Sequence, residues 1–178
     1  MTARTKRSAA SSGAAKVAKL VCGGQTGADR AAVEFAITFG VAYGGWVPRG
    51  GWAEDFPEPP GLLARYPAFI ECDTCDPALR SDMNVRDSDA TVVFTTESAA
   101  SPGTARTCSS ASRLQRPLAV ITVGESSATD ELRAFLAANG PAIILNVAGP
   151  RESEAPGLYA LALELLSQNG DQFAGEGH

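Results

Sequence analysis

Gly23, Gly24, Gln25, Thr26 and Gly27 form the stretch of this sequence whose types and spacing best suit ligand chemistry. They follow an apolar run (Val17, Leu20, Val21, Cys22) and precede an alanine-rich helical pattern over 28–39 that Gly40 closes. Strand, glycine turn and helix in this order present the free N–H groups and the positive dipole end of a helix start, and both favour an anion such as a phosphate. Thr26 and Asp29 have capping-box spacing, which predicts a helix start near Thr26. Gly24-x-x-Gly27 matches the last two glycines of the dinucleotide fingerprint, with Cys22 where the first should stand. A tight turn that holds no ligand is the alternative reading.

Other candidates are scattered. Arg151, following the last predicted strand, suits a phosphate fork or a pair with a neighbouring carboxylate. Arg86 and Asp87 sit in a polar cluster over 84–89 that reads as a structural tie or as part of a crevice. Arg49, Trp52, Glu54 and Asp55 lie in a proline- and glycine-rich stretch over 47–67, which reads as a lid over a ligand or as a solvated excursion. Metal chemistry has little support. The single histidine, His178, leaves no His-based triad, and Cys72-x-x-Cys75 has no second such pair to complete a four-ligand zinc site.

The chain has 178 residues, enough for one domain with a real core, and no apolar run long enough to span a membrane. Its net charge of −5 is uneven: residues 1–19 carry five basic groups and no acid, which leaves ten basic against twenty acidic groups in the rest. A body that acidic is a poor non-specific nucleic-acid binder. The expected organisation is a disordered basic arm over 1–15, one domain over 16–168 and a polar tail over 169–178. With four cysteines and no secretory signal, the expected location is a reducing cytoplasm.

The elements that must position the candidates alternate. Strands are predicted to begin near 17, 41, 68, 90, 118 and 143, the strongest being the β-branched run over 90–96. Helices follow over 76–87 (opened by Asp76-Pro77, with Leu79 and Met83 as its buried stripe), 101–115 (opened by Ser101-Pro-Gly-Thr104), 130–139 and 156–168. This alternation implies an α/β fold, a doubly wound parallel sheet of six strands in the order 3-2-1-4-5-6. Ligands in such sheets bind where the winding reverses, here between strands 1 and 4, which places Gly23 to Gly27 across a crevice from Thr95, Gly103 and Thr104. An NAD site also needs an acidic residue at the end of the second strand, and Tyr43-Gly-Gly-Trp46 supplies none. The dehydrogenase reading is rejected.

Cys22 to Arg30, Gly44-Gly-Trp-Val-Pro-Arg49, Ala53-Glu-Asp55, 84–89, Gly103-Thr104 and Asn146-Val-Ala-Gly-Pro-Arg-Glu-Ser153 together resemble the family named putative molybdenum carriers, across residues 17–168. The resemblance implies a Rossmann-like three-layer fold, related to the lysine-decarboxylase-like phosphoribohydrolases. It also implies a homo-oligomer that holds molybdenum cofactor (molybdopterin) or another phosphorylated ligand. Asn146 joins the candidate binding residues through this motif. In the hydrolase relatives a glutamate serves glycosidic cleavage; alignment on Gly103-Thr104 puts Thr107 at its place, which argues against an enzyme. Asp29, Asp87 and Glu152 are the carboxylates that would have to substitute. A carrier is expected, with a nucleotide-processing enzyme and a ligand-sensing module as alternatives.

Overall fold

The computed structural model describes residues 16–174 apart from Cys75, Ser98 and Ala100. The basic arm expected at 1–15, and the second member of the Cys72/Cys75 pair, lie outside them. Six strands, β1 (Val17–Val21), β2 (Ala42–Val47), β3 (Phe69–Glu71), β4 (Ala90–Thr95), β5 (Leu118–Thr122) and β6 (Ile143–Ala148), form one parallel sheet in the order β3-β2-β1-β6-β4-β5.

The α/β class is as expected, and the strand order is corrected at one place. The last strand inserts between the first and the fourth, pairing Leu20 with Leu145 on one side and Val92 with Val147 on the other. Ile143, Leu145, Asn146 and Val147 are all buried, so β6 has no face to offer water. By contrast Val120 of β5 is 53% exposed, as suits an edge. A strand buried on both faces is most stable at the centre of a parallel sheet.

Helices α1 (Ala28–Phe39), α4 (Ala128–Asn139) and α5 (Leu158–Gln168) cover one face of the sheet; α2 (Pro77–Arg86) and α3 (Pro102–Arg113) cover the other. The first face is the apolar core, where Leu20, Phe35, Phe94, Leu132, Leu136, Leu145, Leu158 and Leu166 are fully buried. Burial of each such side chain stabilises the fold by roughly 1.5–3 kcal/mol. A smaller cluster, Cys22, Val33, Val47, Leu62, Tyr66 and Phe69, lies beneath the long segment after β2. The second face is polar inside: Asn84, Thr91, Thr107, Ser110 and Asn146 are buried there, and Asn146 donates to Thr91 Oγ1 at 3.3 Å.

Two expectations change. Leu79, expected in the buried stripe of α2, is 46% exposed, because α2 packs on the polar face through Asn84 and Val85. The folded body also runs past 168. Phe173 is buried edge-on against Phe35 at 4.8 Å, and the Ala174 N–H donates to the Val17 carbonyl at 2.8 Å. The polar composition of the tail hides this one aromatic anchor. Among the described residues no helix is long and apolar enough to cross a membrane.

Candidate functional site

The turn after β1 is held by its own helix. Asp29 Oδ2 accepts the N–H groups of Gly23 (3.1 Å) and Gln25 (3.2 Å), so a carboxylate of the chain occupies donors that could serve an external anion. No capping box forms: the cap is Gly27, which makes no side-chain bond. The Thr26 hydroxyl instead donates to the Glu54 carboxylate and accepts the Glu152 N–H at 3.1 Å. Asp29 is 8% exposed and stands 3.7 Å from Arg80 Nη1. Burial pushes its carboxyl up to about 6, against the pull of Arg80 and the two turn N–H groups. Arg80 reaches it by passing over Gly23, where a Cβ would coincide with the guanidinium.

Beside this pair lies a cavity of about 90 Å³ at the carboxyl ends of β1 and β6, on the polar face of the sheet. Gly23, Gln25 and Asp29 form one wall and Arg80 and Asn84 of α2 a second. The first turns of α3 (Ser101, Gly103, Arg106, Thr107) form a third, and Asn146, Gly149, Arg151 and Glu154 close it. Ser101 caps α3 by accepting the Thr104 N–H at 3.4 Å, and Pro102 follows at the first turn. The positive end of the α3 dipole and three arginines therefore meet at one point, an arrangement that stabilises a tetrahedral oxyanion. Among the described residues Arg80 Nε is buried without a hydrogen-bond partner and has a donor to offer.

Of the residues singled out from the sequence, Gly23, Gln25, Asp29, Gly103, Asn146 and Arg151 come together here, and Thr107 lines the cavity one turn into α3. The others do not. Gly24 lies against Leu62 and Val47, while Gly27 packs on the backbone of the loop after β6. Arg49 is exposed in a 3-10 turn away from the cavity, and Arg86 pairs with Asp87 at 2.6 Å. Thr95 and Thr104 line a separate open groove beside β5. Arg80 and Arg106 were missed because neither belongs to a local motif in its polar helix. A search for arginines on the two helices flanking the reversal of winding would have found them.

The loop expected to be a lid is fastened down. The Gln25 side chain donates to the Trp52 carbonyl (3.3 Å) and accepts the Glu54 N–H (3.2 Å), and Arg30 forks onto Asp55 at 2.6 and 3.1 Å. Burial works to raise the Glu54 carboxyl, but hydrogen bonds from Ser153 and Thr26 outweigh it and hold the group below its usual range. Trp52 reaches the site indirectly: its ring carries the Arg151 guanidinium at 5.3 Å. In a Trp46→Phe background Trp52 is the one tryptophan left. Its emission is expected to shift when phosphate or sulfate draws on Arg151, and a flat fluorescence titration alongside calorimetric binding would show that Arg151 stays uninvolved.

Two of the substitute carboxylates are committed elsewhere. Asp87 accepts from Trp46 Nε1 at 2.7 Å and from Arg86. Glu152 accepts the Gly157 N–H (2.5 Å) and the Tyr159 N–H (2.9 Å), which makes it the anionic cap of α5. Glu152→Ala is accordingly expected to destabilise the fold by about 1–2 kcal/mol, measured by urea unfolding; an unchanged midpoint would deny the capping role. Only Asp29 of the three faces the cavity.

Counted from β6, the strands run β6-β1-β2-β3 in one direction and β4-β5 in the other, a doubly wound sheet whose first strand has moved to the end of the chain. The winding reverses between β6 and β4, beside the cavity. The sequence profile of the circularly permutated YpsA SLOG family matches residues 20–169. The chain belongs to that family. A solved structure agrees: the putative molybdenum carrier protein of Syntrophus aciditrophicus SB is 33% identical, with a TM-score of 0.77 over 86% of this chain and 94% of that one. No curated protein matches. In this family member the permutation explains why the loop after β6, rather than the turn after β1, stands at the reversal.

Among the described residues no group of three or more His, Cys, Asp or Glu side chains could hold a metal ion. Guanidinium and N–H donors, with one orphaned arginine nitrogen, fit the anionic part of a ligand and not direct ligation of a metal.

Proposed function

We propose that the protein is a carrier or binding protein whose cargo is held by a phosphate or similar oxyanion, with molybdenum cofactor, a phosphorylated pterin, as the cargo class. The observation that carries this reading is the convergence of Arg80, Arg106, Arg151 and the start of α3 on one small cavity. The likeness to a protein described as a molybdenum carrier supports the carrier role. A volume of about 90 Å³ suits the phosphoryl group and leaves the rest of the ligand outside the cavity mouth.

Binding without turnover is the second half of the proposal. Thr107 lines the cavity where the hydrolase relatives would use a carboxylate, and its hydroxyl turns back to the Gly103 carbonyl at 3.2 Å. A general base contributes ~10²–10⁴-fold in rate, so its absence leaves binding with little cleavage. Asp29 faces the cavity, but its Oδ2 accepts the Gly23 and Gln25 N–H groups, which ties the carboxyl to the turn and to Arg80.

Native mass spectrometry of protein purified from its own cells tests the carrier role, reading ligand mass and subunit count together; a homo-oligomer with a phosphorylated pterin bound is expected. Incubation with nucleoside monophosphates, followed by chromatography for free base, tests the rest. Robust multiple turnover would overturn the carrier reading.

A further inference from the structure

We propose that oxyanion binding in this cavity takes up one proton at Asp29, so that the site holds its ligand more tightly as pH falls. The inference rests on the oxyanion reading of the cavity and adds its regulation. Asp29 forms part of the cavity wall, and its carboxylate is the negative group nearest Arg80, at 3.7 Å. An anion entering the cavity meets that same guanidinium, whose buried Nε has no partner among the described residues. Two anions then share one arginine beside a buried carboxylate, where like charges repel more strongly than in water.

The groups facing Asp29 leave one way to relieve this. Arg80 comes from α2. Arg30, next on α1, is turned away to Asp55 and the Gly24 carbonyl. From the turn after β1 comes the Cys22 thiol, 3.5 Å from the Asp29 carbonyl and pushed up by burial, so it stays neutral. Across the cavity stand Arg106 of α3 and Arg151 and Glu154 of the loop after β6, and Glu154 accepts the Arg151 N–H at 2.9 Å. Asp29 is the buried carboxylate of the set, and burial pushes it up to about 6 in the free protein. A neighbouring anion raises that value further. The proton comes from solvent, the carboxyl becomes neutral, and Arg80 is released to the ligand. Oδ2 can keep accepting the Gly23 and Gln25 N–H groups throughout.

Sulfate, which stays dianionic across neutral pH, is the probe. Titration calorimetry near pH 7 in two buffers of different ionisation enthalpy reads protons taken up per sulfate bound. The wild type is expected to take up close to one, with affinity weakening about tenfold per pH unit above about pH 6. Asp29→Asn is expected to bind sulfate with no uptake and no such slope. Sulfate binding without uptake in the wild type overturns the inference and leaves the proposed function standing, as does uptake that persists in Asp29→Asn. No sulfate binding at all overturns the oxyanion site itself, and the inference with it. The wild-type measurement decides even if the variant does not fold.

Discussion

Arg80→Met is expected to abolish oxyanion binding and to destabilise the protein by about 3 kcal/mol at alkaline pH, but by much less in mild acid. The Asp29–Arg80 pair is almost wholly buried, and removal of one partner leaves a charge without compensation. The folded-state value of Asp29, about 6, lies above its unfolded value. The stability carried by its neutral form is therefore complete below the unfolded value and lost as pH rises through the folded one. Since Arg80 is what pulls the folded value down, the variant titrates higher still and loses more at high pH. Urea unfolding on both sides of the transition reads this directly. An equal loss at both pH values would assign Arg80 a packing role instead.

Gly27→Ala is expected to lower the melting temperature by about 10 °C, corresponding to roughly 3 kcal/mol or more in a chain of this size. Gly27 has φ 71° and ψ −130°, a conformation that side chains rarely adopt. A Cβ there would overlap the Pro150 carbonyl and lie 3.0 Å from the Glu152 nitrogen and 3.1 Å from the Arg151 carbonyl carbon. None of these backbone atoms can yield without moving the loop that carries Arg151. The glycine's task is the close approach of α1 to that loop. Normal melting with lost anion binding would restore the turn after β1 as a ligand cradle.

The alternation of strands and helices was legible in the sequence because each element carries its own local pattern. The β-branched run of β4 reads as buried on both faces, and Asp76 before Pro77 and Ser101 before Pro102 mark helix starts that the structure keeps. The motif residues were legible as a set, since Gly23, Gln25, Asp29, Asn146 and Arg151 do line one cavity. Their roles were not. Asp29 looks like a helix cap by spacing, yet its partners are Gly23 and Gln25 behind it and Arg80 fifty-one positions on. Gln25 and Thr26 look like ligand residues, yet they fasten Trp52 and Glu54.

What the sequence by itself determined was the set of elements, because hydrophobic period, turn glycines and capping residues act over a few positions. Only the tertiary structure decided the order of those elements. Whether β6 lies at the edge of the sheet or between β1 and β4 depends on which arrangement buries Ile143, Leu145 and Val147 on one face and Asn146 on the other. That placement moves the reversal of winding from β1 to β6. It also brings Arg80, Arg106 and Arg151, three residues without a shared local signal, to one cavity. Long-range pairing sets such a convergence, and no window along the chain contains it.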